Sequence, residues 1–112
     1  MLIYDALVTD LLGPSLQNLW VYCDNSFGMD TLCNIAIQAL QRLKALHRKG
    51  IIHNDLKPSN FAMGSGTKGS TLYIIDYGLA TRYADIQGRE RGSGHLTGTA
   101  HYAPTETARS EK

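Results

Sequence analysis

The sequence predicts an α+β fold, on three observations. Apolar residues recur at helical spacing across residues 30–49, which argues for one long amphipathic helix. Two short apolar runs, 61–63 and 72–75, flank a glycine-rich turn and read as a hairpin. A polar loop, His53 to Asn60, joins the helix to the hairpin. At 112 residues and 43% hydrophobic content, the chain is long enough for one small domain. Such a domain buries roughly two-thirds of its unfolded surface.

The elements follow in order. Leu2 to Thr9 is rich in β-branched and aromatic side chains and reads as a short strand. Ser15 stands as the cap of a short helix that runs to about Tyr22, with Trp20 as its packing anchor. A loop covers residues 24–29, and Asp30 caps the long helix. Leu32, Ile35, Ala36, Ala39, Leu40, Leu43 and Leu46 follow the rhythm of one buried face. Lys44, Arg48 and Lys49 suit the negative end of the helix dipole, and Gly50 closes it. Ile51-Ile52 is a brief strand leading into the polar loop, and Phe61–Met63 pairs with Leu72–Ile75. The intervening Gly64-Ser65-Gly66-Thr67-Lys68-Gly69 spells a dinucleotide-binding loop. It feeds straight into a strand, however, where a dinucleotide site requires a helix, so turn glycine is the better reading.

Composition excludes several classes. A net charge of +1 argues against a basic nucleic-acid-binding face. No run of apolar residues is long enough to span a membrane. The N-terminus carries Asp5 and Asp10 and no basic cluster, so it does not read as a secretory signal. Cys23 and Cys33 form no close metal pair, and the simpler setting is a reducing one, cytoplasmic or nuclear. His47 and His53, like His95 and His101, lack a zinc-ligand spacing. The sequence carries no signal for an oligomeric state.

The chemistry is concentrated in two places. His53-Asn54-Asp55-Leu56-Lys57-Pro58-Ser59-Asn60 presents an Asp, a Lys and an Asn at fixed offsets, and Asp76-Tyr77-Gly78 follows the apolar run Leu72-Tyr73-Ile74-Ile75. Phosphoryl transfer spreads negative charge over the equatorial oxygens of the moving group, so catalysis is mostly positioning and placement of cations. Asp55 suits a base that accepts the attacking hydroxyl's proton. Lys57 can meet the γ-phosphate of ATP as a compact charge. Magnesium takes oxygen ligands, which the Asp76 carboxylate and the Asn60 amide supply. Gly78 lets the chain turn sharply after Asp76.

This spacing resembles the catalytic loop and the Asp-Phe-Gly motif of eukaryotic protein kinases, with Asn54 in place of the usual Arg and Tyr77 in place of Phe. Further segments are similar to the casein kinase I family of serine/threonine kinases. They are Leu11-Leu12-Gly13-Pro14-Ser15-Leu16, Asn60-Phe61-Ala62-Met63-Gly64, Tyr73-Ile74-Ile75-Asp76 and Leu96-Thr97-Gly98-Thr99-Ala100, and the match runs to about Ala103.

The resemblance implies a protein kinase-like fold, with this chain covering the start of the mainly helical C-terminal lobe. Residues 1–12 would be the last strand of the N-terminal lobe and the hinge, residues 13–103 part of the C-terminal lobe, and residues 104–112 an unassigned tail. Thr9 would be the gatekeeper, with backbone groups of Asp10 and Leu12 hydrogen-bonding adenine. Residues 79–95 would belong to the activation loop. Thr99 would contact the Asp55–Lys57 pair and favour Ser/Thr over Tyr in a protein substrate. The family's glycine-rich loop, strand lysine and helix glutamate have no counterpart here, so the chain reads as a fragment, inactive by itself. The alternative is a non-catalytic remnant that binds a partner or regulates a full kinase. Two departures alter expected regulation. Asn54 cannot pair with an activation-loop phosphate as Arg does, and His101 replaces an Arg that in the family helps bind a phosphate or acidic group on the substrate.

Overall fold

A computed structural model describes residues 3–82 together with Thr99 and Tyr102. The elements run α1 (Leu16–Tyr22), α2 (Met29–Arg48), β1 (Ile51–Ile52), β2 (Phe61–Met63), β3 (Leu72–Ile74) and β4 (Thr81–Arg82). Single-turn 3₁₀ helices cover Pro58–Asn60 and Gly66–Lys68.

Helix α1 starts where its cap predicts. The Ser15 hydroxyl accepts from the Asn18 backbone N–H at 3.2 Å, and the Asn18 side chain accepts from the Ser15 backbone N–H at 3.2 Å. This reciprocal pair satisfies donors that a helix start leaves open. Trp20 is half-buried and meets Phe27 edge to face, with ring centroids 5.1 Å apart. Helix α2 departs from expectation at its start. Gly28, extended and without a side-chain bond, is the cap, and Asp30 lies inside the first turn. The Asp30 carboxylate still lies at the positive end of the helix dipole, two positions beyond the cap. At the other end Gly50 takes a left-handed φ of 70° beyond Lys49, which ends the helix sharply.

The core lies between the helices and the β2–β3 pair. Leu16, Phe61, Leu72 and Ile74 are buried, with Leu19, Ile35, Ala39, Leu43 and Met63 packed against them. Leu72 is fully inaccessible, and burying a side chain of this size contributes about 1.5–3 kcal/mol. The expected apolar face of α2 is only partly covered. Ile35, Ala39 and Leu43 reach the core, Leu46 is half-buried, and Leu32, Ala36 and Leu40 are exposed. The β2–β3 pair covers only part of the stripe.

Strand β2 pairs antiparallel with β3, Phe61 opposite Ile74 and Met63 opposite Leu72. Its other edge is bound by residues 13–15: Gly13 N–H donates to Met63 O at 2.8 Å, Met63 N–H donates to Pro14 O at 3.0 Å, and Ser15 bridges Ala62. The strand expected over residues 2–9 does not form over its described part. Ile3, Tyr4, Leu7 and Val8 are 79–93% exposed, and no described segment offers this stretch a ladder. An extended chain without a hydrogen-bonding neighbour is not a stable strand. The outer side of β3 is closed by α2. Gln38 accepts from Leu72 N–H at 2.8 Å and donates to Ser70 O at 3.1 Å, while Arg42 donates to Leu72 O at 3.0 Å. Strand β1 pairs with β4, Ile51 opposite Arg82 and Ile52 opposite Thr81.

Among the described residues no helix is long and apolar enough to cross a membrane. The expectations for residues 83–98, His101 and residues 104–112 lie outside the described residues.

The glycine-rich turn carries a steric demand. A Cβ built on Gly64 would stand 2.2 Å from the Lys68 carbonyl oxygen. Gly64→Ala is expected to cost about 1–3 kcal/mol, since the backbone must shift to admit it. Gly66 has a φ of 55° and open space around it, so Gly66→Asn, which tolerates that conformation, is expected to be near neutral. Chemical denaturation of the two variants beside the parent chain measures the contrast.

Candidate active site

The loop from His53 to Asn60 is anchored at both ends. Strand β1 delivers the chain into it, and the 3₁₀ turn at Pro58–Asn60 carries it into β2. His53 is 1% exposed. Its Nδ1 lies 3.2 Å from the Asp55 backbone N–H, which can only donate, so Nδ1 accepts. Nε2 therefore carries the proton of the neutral ring and donates to Ile75 O at 3.0 Å. Ile75 N–H in turn donates to Asn60 O at 2.9 Å. These bonds tie the residue before Asp76 to both ends of the loop. The His53 ring also meets Tyr77 edge to face, with centroids 5.3 Å apart. His53 thus braces the loop.

Asp55 sits at the centre of a polar cluster. The Thr99 hydroxyl donates to its Oδ1 at 2.7 Å, and the Thr99 backbone N–H donates to the same oxygen at 3.0 Å. Lys57 Nζ lies 3.2 Å from Oδ2, and Asn60 Nδ2 donates to Oδ2 at 3.1 Å. Lys57 also donates to the Thr99 hydroxyl oxygen at 2.6 Å. The four side chains therefore meet, although Thr99 is remote from the loop in sequence. Asp55 is 9% exposed, and burial alone would disfavour its charge. The hydrogen bond from the Thr99 hydroxyl outweighs that, joined by the bond and charge of Lys57 and the Thr99 N–H, and the carboxyl is held below its ordinary value.

Asn60 is oriented by its amide nitrogen, which also donates to Asp55 O at 2.9 Å. Among the described residues its Oδ1 accepts no hydrogen bond. Asp76 takes a left-handed φ of 60°, and its Oδ1 accepts from Gly78 N–H at 3.2 Å. The Asp76 side chain is exposed and its second oxygen accepts nothing from the described residues. An amide oxygen and a carboxylate oxygen without donors, on backbones joined through Ile75, suit a hard divalent cation whose remaining ligands are phosphates and waters. Among the described residues no group of three or more His, Cys, Asp or Glu could hold a metal ion.

The cluster does not include every residue singled out by sequence. Thr9, Asp10 and Leu12 make no hydrogen bond to it among the described residues. Their stretch is tied instead to the glycine-rich turn, where Ser65 donates to Leu11 O at 2.7 Å. Two apolar clefts of about 420 and 380 Å³ lie along α1 and α2, bordered by Leu16, Phe27 and Ile35. None of the four polar residues lines them, so convergent charge rather than volume marks the site. Asn54 does more than replace an Arg. It has a φ of 67° and donates to Leu79 O at 3.0 Å and to the Thr81 hydroxyl oxygen at 2.9 Å. An Asn beside a sharply turning loop is the only sequence hint of that role.

Compared with known protein families, residues 4–112 match the family model described as the protein kinase domain.

The Asp55 environment predicts a titration. A carboxyl with a depressed folded-state pKa contributes stability that is present above the unfolded value and lost as pH falls through the folded value. Thr99→Val removes the largest depressing cause while keeping the backbone donor. The Asp55 carboxyl carbon, followed by NMR, is expected to titrate below the usual carboxylate range in the parent chain and to move upward in Thr99→Val. The acid limb of the stability curve should shift upward with it.

Proposed function

Because the chain belongs to the protein kinase domain family, we propose that its residues serve transfer of the ATP γ-phosphoryl group to a Ser or Thr hydroxyl of a protein substrate, in a kinase of the casein kinase I type. The observation that carries this reading is the meeting of Asp55, Lys57, Asn60 and Thr99 in one polar cluster beside the Asp76 turn.

An ionised carboxylate offers about four acceptor sites. In Asp55 the Thr99 hydroxyl and N–H occupy Oδ1, while Lys57 and Asn60 occupy Oδ2. A substrate hydroxyl must displace one donor. Lys57 is the suited one, because a γ-phosphate offers its ammonium a more highly charged partner. Once Lys57 turns to the phosphate, Oδ2 can accept the hydroxyl hydrogen. The hydroxyl oxygen then bonds to the γ-phosphorus, the bond from that phosphorus to the bridging oxygen breaks, ADP leaves with the electron pair, and the proton passes to Asp55. Magnesium held by Asp76 and Asn60 would offset charge on the β- and γ-phosphates. Thr99 stays against Asp55 and limits the depth open to the acceptor, which favours the short Ser or Thr side chain. The hinge reading assigns adenine to backbone groups of Asp10 and Leu12 beside Thr9.

The family's glycine-rich loop and strand lysine, which hold the α- and β-phosphates, are not among these residues. The 112-residue chain is therefore expected to bind Mg-ATP weakly and to transfer nothing by itself. Calorimetry should show no micromolar affinity, and a micromolar dissociation constant would contradict the expectation. In a complete kinase domain carrying these residues, Asp55→Asn is expected to lower kcat by about 10²–10⁴-fold with little change in the KM for Mg-ATP. Transfer of labelled phosphate to a Ser peptide measures it. An unchanged kcat would remove Asp55 from the chemistry, and no transfer in the parent domain would favour a regulatory remnant.

A further inference from the structure

We propose that Asn54 is a positioning residue, holding the exit of the Asp76 turn against the catalytic loop through its neutral side-chain amide. The proposal deepens the phosphotransfer reading and rests on it for its functional meaning.

Asn54 occupies the left-handed region, φ 67°, which few residues other than Gly adopt and which Asn tolerates. Its amide orientation is decided by its partners. Leu79 O can only accept, so Nδ2 must face it, at 3.0 Å. The same nitrogen reaches the Thr81 hydroxyl oxygen at 2.9 Å. Both acceptors lie just beyond Asp76-Tyr77-Gly78. Thr81 is also paired with Ile52 across β1 and β4. Residues 52 and 54 therefore grip one residue from two directions, one through the ladder and one through a side chain. On the near side of the turn, Ile75 is already held by His53 and Asn60. The Asp76 turn is thus fixed before and after, and Asn54 supplies the second fixture.

The charge state of this tie matters. An arginine at this position can also pair with a phosphate, and that part of its hold would depend on phosphorylation and on salt. The Asn54 amide is uncharged and both of its acceptors are intrinsic to the chain. Order at β4 is accordingly built in and independent of phosphorylation.

Residue-resolved hydrogen exchange on the 112-residue chain tests this without nucleotide, so the result stands apart from any test of phosphotransfer. Asn54→Gly keeps the left-handed backbone and removes both bonds. Thr81→Val keeps strand propensity and removes one acceptor. Exchange of the amides of residues 80–82 is expected to rise about tenfold in Asn54→Gly and about threefold in Thr81→Val. The double variant should exchange no faster than Asn54→Gly, because the bond to Thr81 is already gone. The Gly64 amide, in the β2–β3 region, should keep its rate. Asn54→Asp, of equal size and without the donors, repeats the test if the glycine variant does not fold. Unchanged exchange at 80–82, multiplied effects in the double variant, or an equal rise at Gly64 would each overturn the proposal.

Discussion

His53 lies sealed inside the fold with both ring nitrogens engaged, one accepting from the Asp55 N–H and the other donating to the Ile75 carbonyl. The rest of the site depends on that bridge. Asp55 and Asp76 sit on separate loops, and the imidazole joins the backbones beside them. Because one nitrogen must accept, the other must carry the proton, so ring tautomer and loop separation are set together. A buried polar group with both partners satisfied is also costly to pull apart, since each freed group would be stranded away from water.

Local strain is held by this network. Asn54 and Asp76 are both non-glycine residues with positive φ, at 67° and 60°. Such conformations cost on the order of 1–2 kcal/mol each unless Asn or Asp relieves them by local hydrogen bonding. Asp76 does so through the Gly78 N–H, whereas Asn54 is held by the distant Leu79 and Thr81. Among the described residues Asp24 and Asn25 share this conformation in the turn between α1 and α2, while Asn54 and Asp76 fall at the entry of the polar loop and at the proposed metal ligand.

Much of this was legible from residue types at short range. The Ser15 cap involves Asn18, three residues on, and β1 begins directly after the glycine that ends α2. The closeness of Asp55, Lys57 and Asn60 follows from a loop of eight residues pinned at both ends. Thr99 was reachable only through resemblance, because nothing local to it signals Asp55. What stayed hidden depends on distant partners. Residues 2–9 have strand composition but no described neighbour to pair with, while Gly13 to Ser15, with glycine and proline, take the edge of β2. The β2–β3 pair covers only part of the apolar stripe of α2, so spacing overstated its burial. Gln38 and Arg42 lie off the apolar stripe and close the outer side of β3, thirty or more residues away in sequence.

Geometry gathers the polar side chains on one loop, and the proposed chemistry requires the Asp76 turn to stay against it. The protonation pattern of the His53 ring reports on that contact most directly. A long-range ¹H–¹⁵N correlation spectrum of the chain should show the Nε2–H tautomer, with a protected ring proton and an unprotonated, hydrogen-bonded Nδ1. A ring protonated at Nδ1, or one whose nitrogens average as in free imidazole, would mean that the two loops are not joined and would contradict the account.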